Sequence, residues 1–277
     1  MYFLSDYILF PILYYIIRYR RTMVEKNLRL SFPEKSDKER QVIMKAFYHR
    51  LSDIVVEVIY GCFASEATMR KRVVFHNVES VAQDALEHGG LIFMLGHMGN
   101  WDWIAEIHRE VAPYGLTECN VYRKQKSKFF DQLLLKIRAK RGGFCADKNT
   151  LLRTMVKERA AGHKITYGLI CDQKPSPRNA HYWTTFLNQE TSFLDGGEIL
   201  GKKFNFPCYY ARITSPKRGY YDIDLQAIAS NPKDTPEWSI TEEFARRLEA
   251  NIQAQPEIWL WTHNRWKWGR ESARGAS

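Results

Sequence analysis

Five consecutive apolar residues, Leu91 to Leu95, stand between Gly89-Gly90 and Gly96. A short apolar run without polar alternation, bounded by turn residues, reads as a strand buried on both faces. Such a strand needs helices above and below it, and the flanking sequence offers them. Asn77 to His88 reads as a helix stopped by Gly89-Gly90, and a further helix is expected to start near Asn100. The pattern then recurs: TECNVY (Thr117 to Tyr122) as strand, Lys128 to Arg141 and Thr150 to Ala161 as helices, and KITYGLIC (Lys164 to Cys171) as strand. Strands alternating with helices predict the α/β class, with a largely parallel central sheet flanked by helices.

The rest of the chain fits around that sheet. Ser36-Asp-Lys-Glu39 has the form of a capping box, and Ile43, Phe47, Leu51, Ile54, Val55 and Val58 keep one helical face apolar to about Tyr60. A short helix is expected after Gly197. PCYYARI and YYDIDLQAI, joined by Ser215-Pro-Lys-Arg-Gly219, read as an antiparallel hairpin. A helix from about Ile240 to Ala254 and the aromatic tail WLWTHNRWKW follow. With no internal repeat and no linker-like stretch, residues 1–277 are expected to form one domain, of which 1–21 are an N-terminal segment of separate character.

That segment is apolar from Tyr2 to Ile17 but carries Asp6 and Pro11, and it is shorter than the ~20 residues a spanning helix needs. It also lacks the basic start and small-residue cleavage site of a secretory signal. Tyr2, Tyr7, Tyr14 and Tyr15 followed by Arg18, Arg20 and Arg21 suit an amphipathic helix lying at an anionic membrane surface. Burial against the protein's own core is the alternative. Lys and Arg exceed Asp and Glu by 41 to 31, a net charge of +10 that favours anionic partners: nucleic acid, anionic lipid or an acidic carrier protein. The basic residues are dispersed and match no nucleic-acid motif, which counts against nucleic acid. The five scattered cysteines contain no C-x-x-C pair, which argues for a reducing compartment and against structural zinc.

Chemistry is expected where the strands end. LIFML runs into His97, TECNVY into Arg123, and KITYGLIC into Asp172-Gln173. In open α/β sheets the crevice beyond the carboxyl ends of the strands is the binding site. His97 and Asp102 are too far apart to share a helical face, but they meet if His97 stays in a turn bent at Gly96 and Gly99, with Asn100 capping the helix and Asp102 in its first turn. A carboxylate on one imidazole nitrogen leaves the other free to take a proton, and such a pair activates an alcohol. A solvated histidine beside a helix-capping aspartate is the plainer account of the same spacing. No second histidine stands in a zinc-ligand arrangement, so neither metal nor cofactor is expected.

GHMGNWDW resembles the H-x4-D/E block of the glycerolipid acyltransferase superfamily, and in its GH-x-GNW-D/E wording the lauroyl and myristoyl transferases of lipid A biosynthesis. YRRTMVEKNLRLSFPEKS, VYRKQKSKFFDQLL, GLICDQKPSPRNAH, TTFLNQETSFLDGGEILGKKFNFPCYY and WLWTHNRWKW resemble successive blocks of the same branch and span nearly the whole chain. The acid here is Asp102 where the best-known relatives tend to carry Glu, which leaves the chemistry unchanged. The chain also begins at the anchor, where relatives often have a longer apolar leader.

The resemblance implies transfer of a fatty acyl group from an acyl carrier protein thioester, or acyl-CoA, to a hydroxyl of a lipid acceptor. The acceptor implied is a lipid A precursor and the place the cytoplasmic face of the bacterial inner membrane. His97 would then be the general base and Asp102 its orienting acid. Asn100, Arg123, Asp172, Gln173, Glu190 and Thr191 would bind substrate, the last two from a loop. Arg123 and the N–H groups around Gly99 to Trp101 are candidates for the oxyanion, and Arg123 equally for a phosphate. The aromatic tail with Arg265 and Lys267 suits either core or a headgroup-level belt. Rival readings are the same fold acting on another lysophospholipid or an aminolipid, and a non-catalytic peripheral protein that only binds anionic lipid.

Overall fold

The computed structural model describes residues 1–124, 131–132, 135, 140 and 142–271. The buried run from Gly90 becomes strand β2 (Gly90–Leu95), in which every residue is buried. It sits near the middle of a seven-stranded sheet. The other strands are β1 (Val73–His76), β3 (Thr117–Tyr122), β4 (Phe144–Asp147), β5 (Ile165–Ile170), β8 (Cys208–Lys217) and β9 (Tyr220–Ala229), in spatial order β1-β9-β8-β2-β5-β3-β4. The pairings are parallel except β8 with β9, the expected hairpin. A separate two-stranded ribbon joins β6 (Tyr182–Phe186) to β7 (Gln189–Phe193).

Helices lie where the local signals put them. The capping box is complete, with Ser36 and Glu39 satisfying each other's backbone N–H groups, and it opens the Asp37–Phe63 helix. The Val78–His88 helix ends at Gly89, whose φ of 78° is the left-handed value that glycine adopts without strain. Helices Leu151–Ala160 and Ser239–Ala254 match their expected spans to within a residue or two, and the short helix expected after Gly197 is Gly196–Phe204. The Lys128 to Arg141 helix falls mostly outside the described residues. β1, β4 and the β6–β7 ribbon have no counterpart in the sequence reading, since four- and five-residue strands give too little periodicity to read.

The order of the strands decides where a site can form. From β2 the chain crosses to β3, leaving a space that β5 fills later, so β2 and β5 run side by side with Leu95 opposite Ile170. Their carboxyl ends therefore deliver Gly96-His97 and Asp172-Gln173 to one place, the switch-point crevice of an open sheet. At the N-terminus a helical segment, Tyr2–Leu4 followed by wide turns at Ser5–Leu9 and Ile12–Ile16, lies on the Asp37–Phe63 helix. Phe10 stacks on His49 at 3.6 Å and Tyr14 packs on Tyr48, while Phe3, Tyr7 and Ile16 stay about 70% exposed. Among the described residues no helix is long and apolar enough to cross a membrane.

Candidate active site

His97 is held from both ring nitrogens. Its Nδ1 meets Asp172 Oδ1 at 2.6 Å, and its Nε2 meets the side-chain amide of Gln173 at 3.2 Å. Asp172 is buried and accepts two further hydrogen bonds on Oδ2, from the His97 backbone N–H and the Trp259 indole N–H, each at 2.8 Å. Burial alone would raise this carboxyl, but the charge and hydrogen bonds of His97, with the indole, outweigh it and lower the group to about 2. For the imidazole, burial opposes the charged form, yet the charge and hydrogen bond of Asp172 and the field of Asp102 prevail and raise its pKa. A neutral ring with its proton on Nδ1 leaves Nε2 as the acceptor, the nitrogen a base uses.

This corrects one expectation. The hydrogen bond assigned from spacing to Asp102 is made by Asp172, 75 residues further along the chain. Asp102 does lie in the first turn after the loop, but that turn is a 3-10 helix (Trp101–Glu106), and its carboxylate acts on the ring through its field. Asp102 also lines a small cavity of about 20 Å³, together with Leu95, Trp101, Asn120 and Gly168, room for about one water molecule. A cleft of about 440 Å³ between the Arg21–Ser31 and Asp37–Phe63 helices is larger, but none of the expected site residues lines it.

The loop itself is fixed by tight packing. A Cβ on Gly96 would lie 2.6 Å from Leu248, and one on Gly99, where φ is +50°, would lie 2.5 Å from the Tyr221 ring. At Gly99 the left-handed φ and the ring contact together call for glycine, and at Gly96 a side chain would force the buried end of Leu248 to shift. Asn100 does not cap the helix as expected. Its amide turns inward to Glu57 Oε2 at 3.2 Å, because that buried carboxylate also gathers the hydroxyls of Tyr221 at 2.8 Å and Tyr2 at 2.9 Å. Burial pushes the Glu57 carboxyl up in spite of these donors. The Gly99 N–H, a candidate oxyanion donor, is committed to the Ile258 carbonyl at 2.7 Å.

The C-terminal tail completes the enclosure. Met98 pairs with Trp259, and the Leu260 N–H donates to the His97 carbonyl at 3.1 Å. Trp259, Trp261 and Arg265 are buried, so the headgroup-belt reading fails for these three; both indole N–H groups and one terminal guanidinium nitrogen of Arg265 find partners inside. His263 sits close enough to feel Asp172 and His97, and burial lowers its pKa to about 4, which leaves it neutral at physiological pH. Neither the composition of the tail nor its resemblance to a family block marks His263 or Trp259 as a site residue. Their place depends on a pairing more than 160 residues away in the chain, which no local pattern announces.

The remaining candidates are spread more widely. Arg123 is exposed at the end of β3, next to β5 in the sheet and so on the same edge as His97. Glu190 and Thr191 are not in a loop. They belong to β7, because Leu187 and Asn188 both adopt positive φ and close a tight hairpin before them. The Thr191 hydroxyl is buried, donates to the Gln189 carbonyl and accepts from the Trp266 indole at 2.7 Å, while Glu190 is exposed and 3.7 Å from Arg270.

A carboxylate-held histidine in the switch-point crevice of an α/β sheet, set in the G-H-x4-D segment, is met by the sequence comparisons, and together they define an acyltransferase. The chain belongs to the bacterial lipid A biosynthesis acyltransferase family, whose model matches residues 11–268. It is 21% identical to lipid A biosynthesis acyltransferase 2 of Shigella flexneri, over 85% of this chain and 74% of that protein. It is 20% identical to the lipid A biosynthesis palmitoleoyltransferase of Escherichia coli K12, over 91% and 80% of the two chains. To the lauroyltransferase of the same organism it is 21% identical, over 90% and 79%.

Proposed function

We propose that the protein transfers a fatty acyl chain from an acyl carrier protein thioester, or acyl-CoA, to a hydroxyl of a lipid A precursor, as a secondary acylation. The observation that supports this most directly is the Asp172–His97 pair, placed at the carboxyl ends of β2 and β5 with its Nε2 turned to the Gln173 side chain, which an incoming hydroxyl can displace. His97 Nε2 takes the acceptor's hydroxyl proton as its oxygen attacks the thioester carbonyl. The tetrahedral intermediate collapses, the carbon–sulfur bond breaks, and the imidazolium returns the proton to the departing sulfur. Asp172 keeps the ring in the tautomer with hydrogen on Nδ1 and, with the charge of Asp102, stabilises the imidazolium. A thioester is already activated, so base catalysis and positioning suffice and no covalent enzyme intermediate is needed.

Membrane attachment is assigned to the outer face of the N-terminal segment, where Phe3, Tyr7 and Ile16 are exposed and Arg18, Arg20 and Arg21 follow. The protein then works from the cytoplasmic face of the inner membrane, with the acidic carrier drawn by the positive net charge. Residues 1–277 act as one domain in this reading.

His97→Ala is expected to lower acyl transfer by about 10²- to 10⁴-fold while the protein stays folded. Since the raised pKa of His97 sets the pH below which the base is protonated, the acid limb of kcat/KM should lie above pH 6.5. Asp172→Asn should bring that limb down to lower pH and reduce kcat, and Asp102→Asn should move it the same way by a smaller amount. Full activity of purified His97→Ala, given carrier thioester and dispersed acceptor, overturns the mechanism.

A further inference from the structure

We propose that Lys174, Lys267 and the face of Trp268 form a phosphate-binding subsite at the mouth of the His97 site. The inference rests on the acyl-transfer reading for the identity of the phosphate, but the geometry is independent of it. The chain leaving β5 lays out three consecutive residues with three directions. Asp172 meets His97 Nδ1, Gln173 meets His97 Nε2, and the Lys174 N–H points to His263 Nε2 at 3.5 Å. The Lys174 ammonium is therefore set within two residues of the histidine's carboxylate partner, half-buried at the rim.

The tail brings a second cation to the same spot. Lys174 Nζ lies 5.2 Å and Lys267 Nζ 4.5 Å from the ring of Trp268, so two ammonium groups share one indole. Two residues before Lys267, and acting on Lys174 through its charge, is Arg265, 3% exposed, with one guanidinium nitrogen on the Ser192 carbonyl and its buried Nε without a hydrogen-bond partner among the described residues. Neither lysine has an ion-pair partner among the described residues. Asp172, two residues before Lys174, already accepts three hydrogen bonds. Partial burial lowers the Lys174 ammonium, and the charges of Lys267 and Arg265 lower it further. Like charges that meet one indole ring and act on each other, without an ion-pair partner among the described residues, are relieved by a bound anion.

Phosphate fits this arrangement better than a lone carboxylate does. Two ammonium groups brought to one ring from different segments can each meet a separate oxygen, and lysine serves as a point charge for phosphate where arginine would demand a planar fork. An indole face beside the anion excludes water on one side. Phosphate reaches the crevice on either substrate: as a headgroup of the acceptor glycolipid, or as the phosphodiester of the carrier's pantetheine arm. In either case its place beside Lys174 would index the substrate against His97 Nε2.

The test compares wild type with Lys174→Ala/Lys267→Ala and with the charge-keeping Lys174→Arg/Lys267→Arg. Loss of both ammonium groups should raise KM by at least about 10- to 100-fold, the effect of removing a single charge-assisted phosphate contact, and leave kcat within about threefold. The arginine pair should restore most of the affinity. A rise confined to the acceptor, and absent with dephosphorylated acceptor, assigns the headgroup. A rise confined to the carrier thioester assigns the pantetheine arm. Unchanged KM for both substrates, or an equal loss on phosphate-free acceptor and on a thioester lacking the pantetheine phosphate, overturns the subsite.

Binding without turnover separates this from the catalytic reading. In ³¹P spectra, pantetheine 4′-phosphate and a phosphorylated glucosamine lipid in detergent should show broadening by wild type for at least one probe, and that broadening should vanish with the double alanine variant. Lysine-dependent broadening by a protein that transfers no acyl group keeps the subsite and refutes the proposed function. Acyl transfer with no broadening of either probe does the reverse.

Discussion

Two aromatic segments of this chain invite the same reading and have opposite fates. The first seventeen residues and residues 259–268 are both aromatic runs with basic neighbours, and both suit a membrane interface. In the structure the N-terminal run leaves Phe3, Tyr7 and Ile16 about 70% exposed, while Trp259 and Trp261 in the tail are no more than 2% exposed. The difference lies in where their polar atoms go. The indole N–H groups of Trp259, Trp261 and Trp266 donate to Asp172, the Pro256 carbonyl and Thr191. Asn27 reaches from the Arg21–Ser31 helix to the carbonyls of Trp261 and His263. A large ring with a polar edge goes inside when the interior holds a partner for that edge, and composition does not report the partner.

The sharpest way to break this contrast is to cut a ring from each segment. Trp261→Ala should cost about 3 to 5 kcal/mol of stability, the range for removing a large buried aromatic, whereas Tyr7→Ala should stay within about 0.5 kcal/mol. Denaturant unfolding of the two variants measures both. Comparable losses would mean that the N-terminal face is packed in solution.

Trp259→Phe is subtler, since it keeps the ring and removes the hydrogen bond to Asp172. A bond to a charged group of this kind contributes about 1.5 to 3 kcal/mol. The pH dependence has a definite sign. Asp172 is depressed from 3.8 to about 2, so its contribution to stability is fully present above its unfolded pKa and is lost as pH falls through the folded value. Taking away one donor raises the folded value, so acid unfolding should begin at higher pH in Trp259→Phe. Unchanged acid unfolding would show that the other two donors suffice.

The smallest expected effect belongs to the exposed face. Phe3→Ser/Tyr7→Ser/Ile16→Ser should leave stability and activity on dispersed acceptor near wild type. Partition onto anionic vesicles should weaken by about tenfold or more, equivalent to about 1.4 kcal/mol. Sedimentation with vesicles reads this directly. Full retention would move the membrane contact elsewhere on the molecule.

The sheet and most helices were legible in the sequence because each rests on a local signal: the apolar run at Leu91, the Ser36–Glu39 box, the glycine stop at Gly89. His97, Asp172 and Gln173 were legible as residues at strand ends, since a strand that stops at a polar group says where chemistry can sit. Their partnership was not. Asp102 is near His97 in the chain and Asp172 is not, so spacing favours Asp102, but β5 lies beside β2 and brings Asp172 to hydrogen-bond distance. Strand order is decided by packing across the whole sheet. The same applies to Glu57, which drew Asn100 away from the helix end that its side chain ordinarily caps.

The seating of the tail behind the histidine also sets a clock. The His97 carbonyl waits for the Leu260 N–H, the Gly99 N–H for the Ile258 carbonyl, and Asp172 for the Trp259 indole. At about 5 to 20 residues per second, the ribosome needs on the order of 10 to 30 seconds to travel from His97 to Leu260. Throughout that interval the nascent chain has its histidine and lacks the segment that holds the loop in place. A translation product that stops short of the tail therefore cannot close the loop around His97, and the full set of contacts at this site forms only once synthesis has passed the tryptophans near the end of the chain.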